Sequence, residues 1–365
     1  MRFAPNDISF ITADAAKIIH GHKGHPVKDI VTAGHEDHKC IRRHLAHAFS
    51  TKVLRDYDSI LNHYTDKFIS ELRQRAGTNI DMVAWFNYDT FDIMSHLSLG
   101  QPFGCLDTDH YHPWITLLLT SIKFFSFVTV IARLGLVHWT HWLIPTNHDK
   151  TLKNDLQFVD RAASTRFNTG DTKNSDIMSH ILNHDDENGM TKAEILENAG
   201  LLVAASSETT ATLMSGTTYY LLMNPDKYNT LVNEIRSTFK SEDEITLPRI
   251  NQLQHLLAVL NEGLRIYPPS ASGLARITLA GGKSIEGYWI PENPFSVGPR
   301  DCIGKSFAYT ETRVLLTRLL WKFDLELLPE SKDWIVQKVY FLYEKPAIHV
   351  KMTEVFREKP VDKSD

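Results

Sequence analysis

One helix constrains this chain more than any other feature. Thr191 and Glu194 form a capping box, in which the threonine hydroxyl and the glutamate carboxylate satisfy orphan backbone donors at a helix start. No proline follows until Asn224-Pro225, and the residue before a proline is driven out of the helical region. The helix predicted over 192–223 is about 48 Å long at 1.5 Å per residue. It is apolar on nearly all sides, through Leu201, Leu202, Val203, Ala204 and Ala205, then Leu213, Met214, Leu221 and Leu222. Such a helix runs through a core and not over one. It calls for a large helical fold built round it, and 365 residues are enough chain to bury one.

The rest of the chain agrees. Apolar residues recur at helical spacing up to Ile266, broken by short polar turns, with no internal repeat. Beyond Pro268 the texture changes. Residues 275–279, a Gly281-Gly282 turn and 284–290 read as a short hairpin, and 334–352 carries further strand-like runs such as 339–343. The expected fold is mainly α with a small β portion near the C-terminus, one large helical domain over 1–365. The net charge of −5 argues against nucleic acid, which needs positive patches. Three cysteines, Cys40, Cys105 and Cys302, cannot build a disulfide framework. The opening residues lack the apolar stretch of a secretion signal. The most apolar stretch, 114–137, carries Lys123 and Arg133. It reads as a buried or membrane-surface helix pair and a poor membrane span.

Two segments carry chemistry. Midway along the long helix lie Ser206, Ser207, Glu208, Thr209 and Thr210. Five buried polar side chains are costly without partners or a task. They either face a neighbouring helix with satisfied hydrogen bonds or line a reaction cavity. The second segment, 295–304, sets Cys302 between glycines, with a helix behind it whose apolar stripe is Leu315, Leu316, Leu319, Leu320 and Phe323. The positive end of that helix favours a thiolate. Gly298 and Gly304 allow a tight turn and close approach of a flat ligand. Arg300 supplies a cation for an anionic cofactor group.

Phe295, Gly298, Arg300, Cys302 and Gly304 match all five fixed positions of the haem-binding loop of the cytochrome P-450 family, the haem-thiolate monooxygenases. Other motifs follow in family order. Glu262 and Arg265 match the Glu-x-x-Arg helix, whose flanking leucines suit a buried helix ending at Pro268-Pro269. Residues 205–210 resemble the oxygen-activation motif, with Ser206 where the family usually has glycine. His38 and Arg42, one turn apart, resemble the helix that binds the haem propionates. The seven histidines between 20 and 47 could instead hold a metal, but lack the flanking Glu and spacing of a zinc-protease helix.

The chain is most similar to fungal microsomal members of secondary metabolism. The resemblance implies haem as cofactor, with Cys302 the axial iron ligand, and Phe295 and Gly304 framing the loop. His38, Arg42, Arg276 and Arg300 would hold propionates, and Thr209 and Glu208 would deliver protons. Glu262 and Arg265 would be structural. It implies O2, electrons from NADPH through NADPH-cytochrome reductase, and a lipophilic small-molecule substrate in secondary-metabolite or toxin biosynthesis. It also implies the endoplasmic reticulum membrane surface, with peripheral contact through 114–137. The family's membrane anchor is absent here, so the cytoplasm is the alternative expectation.

A second departure is internal. Only four residues separate Ile290 from Phe295, where the family has several dozen, including an arginine that locks the Glu-x-x-Arg pair. The Glu262–Arg265 pair is therefore expected to be buried and under-satisfied, which is costly. The rival expectation is a non-catalytic, shortened relative that cannot retain haem.

Overall fold

The computed structural model describes residues 29–31, 33–133, 148–172, 174–183, 189–270, 283–285, 288–290 and 302–355. In chain order the elements are α1 (His35–Ala48), a 3-10 turn (Val53–Tyr57), α2 (Asp58–Gln74), β1 (Asn79–Asp81), α3 (Met82–Leu99), α4 (Cys105–Thr108), α5 (Pro113–Arg133), α6 (His148–Thr169) and α7 (Ile177–Asn183). Then come α8 (Lys192–Leu222), α9 (Pro225–Thr238), α10 (Leu247–Ile250), α11 (Gln254–Ile266), β2 (Lys283–Ile285), β3 (Tyr288–Ile290), α12 (Lys305–Lys322), β4 (Phe323–Leu327), β5 (Lys338–Val339), β6 (Tyr343–Glu344) and β7 (His349–Glu354).

The long helix predicted over 192–223 is α8, and its capping box is present. Glu194 N donates to Thr191 Oγ1 at 3.3 Å, and Thr191 N donates to Glu194 Oε2 at 2.9 Å. Pro225 opens the next helix. α8 packs most extensively on α3, which is itself buried almost throughout, and it also touches α6, α9, α11 and α12. The core therefore sits around α8, as an all-apolar helix requires.

Glycines set how closely α11 approaches α8. A Cβ at Gly263 would lie 2.4 Å from Thr217 Oγ1, and one at Gly216 would lie 2.3 Å from Tyr267 Cδ1. Neither position has room for a larger residue. α11 is not the buried helix expected from its leucines. Leu256, Leu260 and Gly263 are buried in a single stripe, continued by Leu253 and Tyr267 at its ends, while the opposite face is exposed.

The β portion differs from the sequence reading in its pairing. β1, β7 and β4 form an antiparallel sheet in that order, with Ile80 opposite Val350 and Leu325 opposite Met352. β4 does alternate apolar and polar residues, with Phe323 and Leu325 buried and Asp324 and Glu326 exposed, but the sequence reading places Phe323 on the preceding helix; β1 is only three residues long. The stretch 284–290, expected as one strand, is two: β2 pairs with β3, Ser284 opposite Trp289. The run 339–343 is also folded back, as the two-residue strands β5 and β6. A short apolar run gives no signal of where it turns. The expected partner strand 275–279 lies outside the described residues.

Candidate active site

Three elements meet at Gly304, just before α12. The position its Cβ would occupy is 3.9 Å from Ser206 Oγ on α8 and 4.0 Å from Phe49 at the end of α1. The fold thus joins the start of the cysteine-bearing helix, the middle of the long helix and the N-terminal helix at one point. Phe307, one turn into α12, locks the meeting by edge-on contact with Phe49 and Tyr57, at 6.5 and 6.3 Å between ring centroids. Cys302 lies three residues before α12 begins; its thiol is free and exposed. Cys40 is half-buried and Cys105 buried, and burial pushes the Cys105 thiol up to about 12. Cys105 is therefore an inert thiol at neutral pH.

His38 and Arg42 stand on α1, the first buried and the second half-buried. They share the helix that delivers Phe49 to Gly304. Arg276, Phe295 and Arg300 lie outside the described residues.

The polar run of α8 is divided by the 100° turn between successive helical residues. Ser206 faces Gly304. Ser207 is buried and donates to the Thr90 carbonyl of α3 at 3.1 Å, the neighbouring-helix role. Thr209 is half-buried and donates to the Ala205 carbonyl at 2.7 Å. Glu208 is buried and paired with Lys345, 2.5 Å from Nζ to Oε1. The neighbouring-helix reading therefore holds for Ser207. Lys345 gave no signal in the sequence: it is a single lysine before Pro346, 137 residues beyond its partner.

A second group that sequence reasoning missed is the carboxyl pair Asp89 on α3 and Glu311 on α12. Both are buried; Asp89 has no hydrogen-bond partner among the described residues, and Glu311 has only the Thr210 hydroxyl beside it, which offsets part of the burial. Burial first, and then the nearby second carboxyl, holds Glu311 well above the usual carboxylate range. Burial, with Asp92 adding to it, does the same to Asp89.

Glu262 and Arg265 do pair, through two hydrogen bonds of 2.6 and 2.7 Å. The expectation that the pair is buried fails. Glu262 is 54% and Arg265 70% exposed, because both lie off the stripe that α11 buries. The pair holds the Glu262 carboxyl below its ordinary range through the Arg265 hydrogen bond. An exposed pair like this adds little to stability.

The cytochrome P450 family model matches residues 9–293 and 293–352. The chain belongs to the cytochrome P450 family. A cytochrome P450 monooxygenase, astA, of Talaromyces wortmannii is 34% identical over 96% of this chain and 84% of its own length. Another, lcsI, of Purpureocillium lilacinum is 35% identical over 98% and 82%. The trichothecene C-4 hydroxylase of Trichoderma arundinaceum is 33% identical over 98% and 85%. A crystal structure of the haem domain of cytochrome P450DA has the same fold, with a TM-score of 0.74 at 18% identity over 93% of this chain and 80% of that one. The two matched pieces of the P450 model meet at Asn293, in the short junction before the cysteine loop. The aligned span with astA, 412 positions, exceeds the 365 residues of the chain, so this relative carries residues that the P450 described here lacks.

P450 enzymes are monooxygenases, and their cofactor is haem. The residues present fit that group in donor chemistry. The family's iron ligand is a cysteine thiolate, and Cys302 is the exposed, unbridged thiol at the point where the three motif-bearing elements converge.

Proposed function

We propose that this P450 hydroxylates a lipophilic small molecule of fungal secondary metabolism, using O2 and electrons from NADPH passed on by a reductase. In balance, substrate C–H, O2, NADPH and a proton give the alcohol, water and NADP+. The carrying observation is the exposed Cys302 thiol beside the junction of α1, α8 and α12 at Gly304. The names of the relatives, a trichothecene C-4 hydroxylase among them, support the reaction class and the substrate class.

Haem, when bound, supplies the oxidising chemistry. The chain supplies the rest. Cys302 would ligate the iron, with Phe295 and Gly304 shaping the loop round it. His38, Arg42, Arg276 and Arg300 would hold the propionates, whose charge suits guanidinium forks. Thr209 and Glu208 would handle protons on α8. Glu262 and Arg265 would brace α11. Phe124 and Phe127 on α5 are 42% and 57% exposed. They support seating of 114–137 on a lipid surface, and with it a place at the endoplasmic reticulum membrane. No helix among the described residues is long and apolar enough to cross a membrane.

A second reading is a non-catalytic P450 relative that does not retain haem. The observation that favours it is the break in the family match at Asn293. One experiment separates the two. The reduced protein under carbon monoxide should show the strongly red-shifted Soret band of thiolate-ligated haem. Cys302→Ser should abolish the band and keep the far-ultraviolet helicity, while Cys40→Ser and Cys105→Ser keep both. Absence of the band in the unmodified protein would favour the second reading.

A further inference from the structure

Glu208 is tied to a residue from the far end of the chain. Its Oε1 accepts from Lys345 Nζ at 2.5 Å, and Lys345 also donates to Thr212 Oγ1 at 2.7 Å. The two charged side chains are 3% and 4% exposed. Glu208 Oε2 is buried and has no partner among the described residues. Lys345 follows β6 directly, and its neighbour Glu344 pairs at 2.6 Å with Lys123 of α5 in a half-exposed bridge.

A buried carboxyl without a cation takes up a proton, because burial disfavours its charged form. Lys345 is the cation that meets Glu208 among the described residues. The other groups that sense Glu208 are the phenols of Tyr111 and Tyr267. Tyr111 accepts from Asn87 Nδ2 at 3.0 Å, and Tyr267 donates to Gln337 at 2.7 Å. Burial above all keeps both phenols protonated, so neither supplies positive charge.

We propose that Lys345 is a positioning residue for the proton chemistry of this P450: it holds Glu208 as an oriented carboxylate, Oε1 tied down and Oε2 left free. The proposal rests on the reading of Glu208 as a proton carrier. It also refines that reading. A carboxylate in an ion pair carries no proton of its own to give. Glu208 then acts as a relay, which must receive a proton at Oε2 before it releases one. The lysine keeps it in the receiving state.

Lys345→Met keeps most of the side-chain stem and removes the charge, so it separates charge from packing. The test is infrared difference spectroscopy on protein labelled with 13C-glutamate, with Glu208→Gln variants to assign the band. Any band from Glu311 is common to every variant and cancels. The expected result is a new protonated-carboxyl band at pH 7 in Lys345→Met, absent from the unmodified protein, from Lys345→Arg and from Glu208→Gln/Lys345→Met. In the haem-loaded protein with reductase and no organic substrate, the peroxide released per NADPH should become pH-dependent in Lys345→Met. It should change at least twofold between pH 6 and about pH 9, the upper end of the range documented for buried glutamates. Glu344→Gln, one residue away, should behave as the unmodified protein does.

No new band in Lys345→Met, or a band that survives in the double variant, overturns the proposal. So does the band without a change in the peroxide ratio. If Lys345→Met alone fails to fold, the double variant should fold, since it strands no charge. Failure of both would assign Lys345 to packing and refute the proposal. The infrared arm needs no haem, so a protein without the red-shifted carbon monoxide band would refute the haem reading while the ion pair is still decided.

Discussion

The hydroxyl of Thr209 already donates to its own helix at Ala205, so moving a proton through it requires that bond to open. A hydroxyl that can both give and accept is what a relay needs. Thr209→Ala should therefore raise the peroxide released per NADPH severalfold, toward the fully uncoupled limit of one peroxide per NADPH. Unchanged coupling would shift the role to Ser206, the hydroxyl facing Gly304. The pair Asp89 and Glu311 makes a different prediction at the same scale. Both are held protonated in the folded protein above the usual carboxylate range. The folded state then binds more protons than the unfolded chain once the pH exceeds about 4. Stability from this source is fully present below that pH and is lost as the pH rises toward the folded values. Glu311→Gln should flatten the loss by up to about 1.4 kcal/mol per pH unit. Urea unfolding at pH 5 and pH 8 reads the difference; an equal loss in both proteins would refute it.

Helices α8 and α11 show what an element needs beyond its own propensity. Their crossing is close because Gly216 and Gly263 have no side chains there. Tyr267 cannot yield: its ring stacks on Tyr343 at 4.3 Å and lies against Trp334 at 5.3 Å. Gly216→Ala should cost about 1–3 kcal/mol as overpacking, seen as a lower thermal midpoint with helicity retained below it. A midpoint unchanged from the unmodified protein would mean that the aromatic stack shifts freely. The start and end of α8 were legible, because capping boxes and prolines act over a few residues. The face that α11 turns outward was not. Its leucines fit a buried helix equally well, and only the packing on α8 leaves Glu262 and Arg265 in solvent.

At the scale of the whole molecule, we propose that the junction before the cysteine loop limits how well this P450 holds its cofactor. The family match breaks at Asn293, and five Cα steps from Ile290 to Phe295 span at most about 18 Å. The cost is not a broken buried ion pair, since Glu262 and Arg265 are exposed. The proposed cost is instead the missing chain, since the family match breaks here and the aligned span of a relative exceeds the length of this one. We expect substoichiometric haem in the unmodified protein and higher occupancy when the corresponding segment of a relative is inserted after Pro291. Haem-to-protein ratios from absorbance and total iron measure this, and full occupancy without the insertion would refute it.

The sequence by itself determined the long central helix, the mainly helical class and the family to which the chain belongs. These are written in contiguous residues, where spacing along the chain equals geometry in space. Tertiary structure alone decided which polar residues of α8 face a helix, a glycine or a lysine. It alone brought Lys345 to Glu208 across 137 residues, set Asp89 against Glu311, and folded 284–290 back on itself. Those pairings depend on how separate elements pack, and a buried charge accepts a partner from any part of the chain that reaches it.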